Sequence, residues 1–201
     1  MGIPEAAVAT PSQPSRQHFT VRMPEPANHL LEVELQIQEV DPEAPLRLRL
    51  PVWTPGSYLV REYARHVQEF QAATEQGIPL AWRKVDKNTW EIEPPRCSAV
   101  KVRYRVYAYE LTVRTNHLDL THAYFNGAAL FLYVPGRERE PHTLTIIPPN
   151  PDWRVATSLR PLPAAEDPKA GHSFLAADYD ELVDSPVEVG LHQLRSFAVE
   201  G

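Results

Sequence analysis

The stretch Leu46-Arg47-Leu48-Arg49-Leu50-Pro51-Val52-Trp53-Thr54-Pro55-Gly56-Ser57-Tyr58-Leu59-Val60-Arg61-Glu62-Tyr63-Ala64-Arg65-His66 decides how the rest of the chain is read. From Leu46 to Leu50 apolar and basic residues alternate strictly, the pattern of a strand with one buried face. The alternation stops at Trp53. Thr54-Pro55-Gly56-Ser57 is turn chemistry, because proline presets φ and glycine accepts φ > 0. Ser57 is placed to cap a short helix, its hydroxyl accepting from a free N–H of the first turn. Leu59, Val60 and Tyr63 would share the buried face of that helix. Arg61, Glu62, Arg65 and His66 would lie on its other sides as an ion-paired cluster, with Glu62 and His66 an i, i+4 pair. The stretch reads as a helical plug over the end of a sheet.

Strand patterns continue on both sides of it. Upstream, Phe19 to Met23 is a short strand. Across Asn28 to Glu39, Leu31, Val33, Leu35 and Ile37 alternate with Glu32, Glu34, Gln36 and Gln38. Downstream, Val67 to Ala73 and Pro79 to Val85 flank Gly77 as a hairpin. Thr89 to Ile92 follows, then the longest regular segment, Ala99 to Val113, with Val100, Val102, Tyr104, Val106 and Ala108 on one face. Leu118 to Gly127 loses the alternation and reads as a loop. Ala129 to Val134 is a continuous apolar run and reads as a buried strand. Thr143 to Ile147, Trp153 to Thr157 and Phe174 to Ala177 are further short strands. Asp178 is placed to cap one helical turn. Many short strands with little helix predict an all-β, mainly antiparallel β-sandwich of two packed sheets with one or two short helices. It would occupy residues 17–201 as a single domain, after a disordered lead-in over residues 1–16.

Composition narrows the function. With 20 basic and 26 acidic residues the net charge is −6, which argues against nucleic acid as a partner. No apolar run approaches the roughly 18 residues of a membrane span. The 21 prolines in 201 residues are about twice the usual ~5% and fit stiff connections between strands. Cys97 is the only cysteine, so no internal disulfide framework exists and either a cytoplasmic or a periplasmic setting stays open. Met1-Gly-Ile-Pro-Glu-Ala-Ala7 has no basic n-region and no apolar h-region, so it does not read as a signal peptide; a trimmed signal stays open.

The stretch Trp53 to His66 resembles the signature of the N-terminal domain of the glycyl-aminopeptidase family, with Trp53, Pro55, Gly56, Ser57, Tyr58, Arg61, Glu62, Arg65 and His66 as its marked positions. Val85-Asp-Lys-Asn-Thr-Trp90 is similar to a second block of that family. Tyr104 to Asn116, running on to His122-Ala-Tyr-Phe-Asn-Gly127, is similar to a third. The resemblance implies gluzincin zinc metallopeptidases, usually with a PDZ domain after the catalytic domain. Their zinc-binding His-Glu-x-x-His does not occur in these 201 residues. What the resemblance implies is therefore a non-catalytic N-terminal β domain without cofactor, zinc belonging to the parent's catalytic domain. Its partners would be that catalytic domain and, through it, the peptide substrates of the parent, whose N-terminal Gly or Ala is removed.

Three residue sets are candidates for chemistry. Asn116 to Gly127 is a polar, aromatic segment where binding residues collect. By resemblance, Tyr124, Asn126 and Gly127 would help form the pocket for the substrate's N-terminus: a Tyr wall, an Asn carbonyl accepting from an ammonium, and a Gly permitting close approach. His117, Asp119 and His122 lie close in sequence but lack the two helical histidines at i, i+4 of a zinc peptidase, and no metal site is expected from them. Ser57 and His66 are the raw material of a small hydrolase, without the Gly-x-Ser-x-Gly elbow. A free-standing sugar-binding module is the alternative, for which Tyr107 and Tyr109 would supply exposed aromatic faces. Finally, Val187 to Val199 continues a strand pattern towards Gly201, which reads as a cut in a larger folded unit. An apolar surface around Tyr124, Phe125 and the last strand would then be exposed, and self-association of the isolated domain is expected.

Overall fold

A computed structural model describes residues 15–54, 57–163, 170–193 and 195. Most of the expected lead-in, Pro55-Gly56 and Phe197 lie outside the described residues. Ser15 and Arg16, assigned above to the lead-in, are already tied to the body. The Arg16 carbonyl accepts from the Gln38 amide at 2.8 Å, and the Ser15 hydroxyl donates to the Pro141 carbonyl at 2.7 Å.

The largest sheet is organised around the two best alternating segments. Strand β2 (Leu30–Gln38) pairs antiparallel with β7 (Ala99–Tyr107) over its whole length, and with β1 (Gln17–Arg22) on its other edge. Leu31, Val33, Leu35 and Ile37 are buried, as are Val100, Val102, Tyr104 and Val106. The outer face carries the charges in register: Glu32 stands opposite Arg105 and Glu34 opposite Arg103. Their side chains meet at 2.7 Å in both pairs. Tyrosines and arginines beside acidic strands thus form the solvated cross-strand face that such patterning gives.

Beyond β7 lies β4 (Val67–Thr74), whose pairing shifts between Gln68 and Gln71. Glu69 sits at this irregularity with φ 50° and reaches Arg105 at 3.0 Å. On the other side β1 pairs parallel with β10 (His142–Ile147), followed by β13 (His172–Ala176) and the short edge β12 (Arg160–Pro161).

Two smaller sheets complete the architecture. One contains β3 (Leu46–Arg49), β6 (Thr89–Ile92) and β5 (Trp82–Lys84) in that order. The other runs β11 (Arg154–Ala156), β14 (Val187–Gly190), β9 (His122–Phe125) and β8 (His117–Leu118). All three share one core. Phe70 of β4 stacks on Trp90 of β6 at 5.5 Å, and Phe131 lies between Phe19 of β1 and Phe125 of β9, at 4.7 and 6.1 Å. The all-β, mainly antiparallel class stands, with the second layer divided into two sheets. The expected hairpin around Gly77 begins as such, with Ala73 bridging Pro79, but its return strand leaves the large sheet and joins β6.

Several local expectations are corrected. Leu118 to Gly127 is not a loop: it holds β8, a tight turn and β9. Ala129 to Val134 is buried but is not a strand. A 3-10 turn at Gly127–Ala129 leads into an irregular segment that forms a single backbone bridge to β3, from Tyr133 to Arg49. Its backbone is satisfied by the buried Tyr104 hydroxyl, which donates to the Leu130 carbonyl and accepts from the Leu132 amide. The regular part of Ala99 to Val113 ends at Tyr107. The final strand ends at Gly190; its expected continuation is out of strand over residues 191–193, and beyond these only Arg195 is described. Nor is it an open edge, since β11 and β9 flank it. The helix α1 (Tyr179–Asp184) forms as expected, its Glu181 amide held by the Asp178 carboxylate at 2.9 Å. Among the described residues no helix is long and apolar enough to cross a membrane.

Candidate functional site

The plug is built differently from its sequence reading. Ser57 caps no helix; its hydroxyl donates to the Leu59 carbonyl at 2.9 Å. Tyr58, Leu59 and Val60 stand exposed, so only Tyr63 of the expected apolar face is buried. The helical turn is a 3-10 segment, Tyr63–His66. The reason lies in the tie on each side. The Trp53 indole donates to the Ser57 carbonyl at 2.7 Å, and the Arg61 amide donates back to Val52. These contacts close the stretch into a loop that projects its apolar tip outward before Tyr63 and Ala64 enter the core. Glu62 and His66 do not pair with each other. Glu62 meets Lys87 at 2.6 Å, while His66 and Arg65 face Glu110 at 3.9 and 3.6 Å. The blocks quoted above are therefore in mutual contact. The second is pinned further by Asn88, whose amide group donates to the Leu50 carbonyl at 2.7 Å. With the Ser57 hydroxyl donating to the Leu59 carbonyl and His66 Nε2 accepting from Arg65 Nε at 3.0 Å, no nucleophile–base pair forms between them.

In the four-stranded sheet, register brings together residues that sequence keeps apart. Strand β9 pairs with β8 so that Tyr124 lies opposite His117, and with β14 so that Tyr124 lies opposite Glu188 and His122 opposite Gly190. His117, His122, Tyr124 and Glu188 thus share one face, since alternate residues of paired strands point the same way. Gly190 is required here, because a Cβ on it would stand 2.9 Å from the His122 Cβ.

The β8–β9 turn is tied by Asp119. Its Oδ1 accepts from the Thr121 amide and hydroxyl, both at 2.7 Å, and from the His122 amide at 3.0 Å. Its Oδ2 faces His117 Nε2 at 3.2 Å, and His122 Nδ1 stands 3.6 Å from Oδ1. Burial alone would raise the Asp119 carboxyl; the hydrogen bonds from Thr121, His117 and the His122 amide outweigh it and hold the group well below the usual carboxylate range. Glu188 is shifted the other way. Burial raises it, against the opposing influence of His122, His192 and His117.

The three sequence candidates lie side by side. Tyr124 is half-buried and donates its hydroxyl to the Val113 carbonyl at 3.2 Å. The Asn126 side chain donates to that same carbonyl and accepts from the Ala128 amide at 3.0 Å, capping the 3-10 turn. Gly127 packs on α1, where a Cβ would come within 2.8 Å of the Val183 Cα. Asn116, quoted above but not singled out, is the buried link beneath them. It donates to the Ala129 carbonyl and accepts from the Asn126 amide, both at 3.1 Å. Glu188 gave no sequence signal, because only the β9–β14 register places it here. The expected exposure of Phe125 is overturned: it is fully buried, pointing inward between outward-facing Tyr124 and Asn126. Tyr109 is half exposed, with its ring 3.8 Å from that of His29. A separate concavity of about 280 Å³ on the outer face of β2 and β7 is lined by Glu32, Glu34, Arg103 and Arg105, charges already paired with one another.

Comparison with known proteins supplies the context. A crystal structure of an aminopeptidase N family protein from Idiomarina loihiensis superposes with a TM-score of 0.83 at 32% identity, over 92% of this chain and 31% of that one. This chain thus spans less than a third of the length of that protein. Among curated proteins no match was found. The family model for the peptidase M61 N-terminal domain matches residues 18–191. That range runs from β1 to just past β14 and takes in the plug, the β8–β9 hairpin and Glu188, so the chain belongs to the peptidase M61 N-terminal domain family.

Proposed function

We propose that this chain is the non-catalytic N-terminal β domain of a zinc metallo-aminopeptidase of the glycyl-aminopeptidase type, a PDZ-containing enzyme that removes N-terminal Gly or Ala. It packs on the catalytic domain and lends Tyr124 and Asn126 to the pocket for the substrate's N-terminus, with Gly127 setting the turn beneath them. The supporting observation is the apolar surface bordering these residues. Tyr109, Leu111, Val113, Leu120 and Leu191 are all exposed. They flank the β8–β9–β14 face, Val113 directly through its carbonyl. Soluble domains rarely leave such a surface without a partner. The Asn126 carbonyl oxygen retains a second lone pair, and the Tyr124 oxygen can still accept.

The catalytic zinc falls outside this chain, which has no His-Glu-x-x-His to hold it, so its chemistry is not routed through these residues. The purified chain should therefore show no turnover of Gly- or Ala-aminoacyl chromogenic substrates, and turnover would overturn this reading. In the full-length parent, Asn126→Ala should raise KM for such substrates more than it lowers kcat.

A further inference from the structure

The docking reading leaves His117, Asp119 and His122 without a task. Their possible ligand atoms all lie within 4.8 Å of one another. A tetrahedral first-row site with bonds of about 2.0–2.1 Å has donor–donor edges of about 3.4 Å. His117 Nε2 stands 3.2 Å from Asp119 Oδ2 and His122 Nδ1 3.6 Å from Oδ1, so each imidazole lies near that length from one of the two carboxylate oxygens. Closing the set on one ion needs the partly exposed His122 ring to rotate out of its 3.0 Å contact with the Thr121 hydroxyl.

The surroundings hold the set in place. The His117 ring lies 5.5 Å from Tyr109 and 4.9 Å from His122. It is buried, and its Nδ1 has no hydrogen-bond partner. That atom stays unpaired however Nε2 is used, so what points the ring at a ligand is Nε2 itself, held 3.2 Å from Asp119 Oδ2. The bonds to Asp119 Oδ1 from the Thr121 amide and hydroxyl and the His122 amide orient the carboxylate and leave Oδ2 facing His117. Glu188 stands on the same face of the sheet and adds negative charge to it.

We propose that His117, Asp119 and His122 bind a divalent first-row transition ion. Two imidazoles and one carboxylate favour zinc or cobalt over calcium or magnesium, which prefer oxygen donors throughout. The ion would lock the β8–β9 hairpin and with it the outward face of Tyr124.

The test is titration of the untagged 201-residue chain with Co²⁺, followed by visible absorption, then displacement by Zn²⁺. The expected result is one equivalent of saturable binding with the intense bands of a four- or five-coordinate site. His122→Ala and Asp119→Asn should each weaken it at least about tenfold. Asparagine keeps the Oδ1 acceptor of the turn; should Asp119→Asn nevertheless fail to fold, His122→Ala decides alone. His172→Ala, on β13, should leave binding unchanged. Absence of saturable binding, equal loss in His172→Ala, or full binding by a folded His122→Ala variant would each overturn the proposal.

Discussion

Gly127 shows how one residue can be assigned to a substrate from sequence and to packing from structure. Its missing side chain is filled by α1, whose Val183 Cα and Leu182 carbonyl oxygen would lie 2.8 and 3.0 Å from an added Cβ. Both are backbone, so neither can swing aside. Gly127→Ala should destabilise the domain by about 1–3 kcal/mol, the range for overpacked cores, measurable as a lowered urea midpoint. His142 offers a second test at this scale. It is wholly buried beside Phe19 and Tyr179, and burial pushes its imidazole down to about 4 from 6.5. The neutral ring is the folded form, so between these values the unfolded chain binds the extra proton. The contribution of His142 is complete above pH 6.5 and is lost as pH falls through about 4. The loss amounts to roughly 3 kcal/mol. His18 and His66, lowered by the same cause, act with the same sign. Unfolding free energies at pH 7 and pH 4.5 should show the fall, and His142→Phe should reduce it. A pH-independent stability across that range would count against a buried neutral ring.

At the scale of elements, legibility followed locality. The strands β2 and β7 were visible because alternation is written in consecutive residues, and α1 because Asp178 and its first turn are adjacent. The plug was misread because Trp53 and Val52 reach across the turn to Ser57 and Arg61, ties that outweigh the helical spacing of Leu59 and Val60. The β8–β9 hairpin was missed because each strand is too short to show a period. His117, Asp119 and His122 stand out in the sequence but fail the helical i, i+4 spacing, whereas a hairpin joins His117 to His122 across a turn. Glu188 arrived only through strand pairing, which no local pattern encodes. The charged ladder was legible as a face, and its strength can be predicted. Glu34 is nearly buried and its carboxyl is low: burial would raise it, but hydrogen bonds from Gln36 and Arg103 and the charges of Lys101 and Arg103 prevail. Arg103, by contrast, is largely exposed. A double-mutant cycle with Glu34→Ala and Arg103→Ala should therefore give a coupling below about 1 kcal/mol that shrinks as salt is added. A coupling of several kcal/mol would mean that the outer face is sealed from solvent.

For the molecule as a whole, self-association turns on which surface is left without a partner. Neither Phe125 nor an unpaired β14 can drive it, since the first is buried and the second lies between two strands. Among the described residues, two groups of exposed apolar tips are candidates: Tyr58, Leu59 and Val60 of the plug loop, and Leu111, Val113, Leu120 and Leu191 around the hairpin. Two forces then compete. Burial of these tips between copies is favourable by about 25 cal/mol per Å² of apolar area, while a net charge of −6 on each copy repels. Added salt screens the repulsion and leaves the apolar term intact. Light scattering should accordingly show a weight-average mass above 22.8 kDa that rises with concentration and rises further with salt. Association through the ion pairs of the β2–β7 face would weaken with salt instead. Leu111→Ser combined with Leu120→Ser should return the mass to the monomer if the hairpin surface is responsible. On the proposed docking reading, the catalytic domain added in trans should do the same by competing for that surface. A chain that stays at 22.8 kDa at high concentration and high salt would show these tips too scattered to act as an interface, and the proposed docking face would lose its main support.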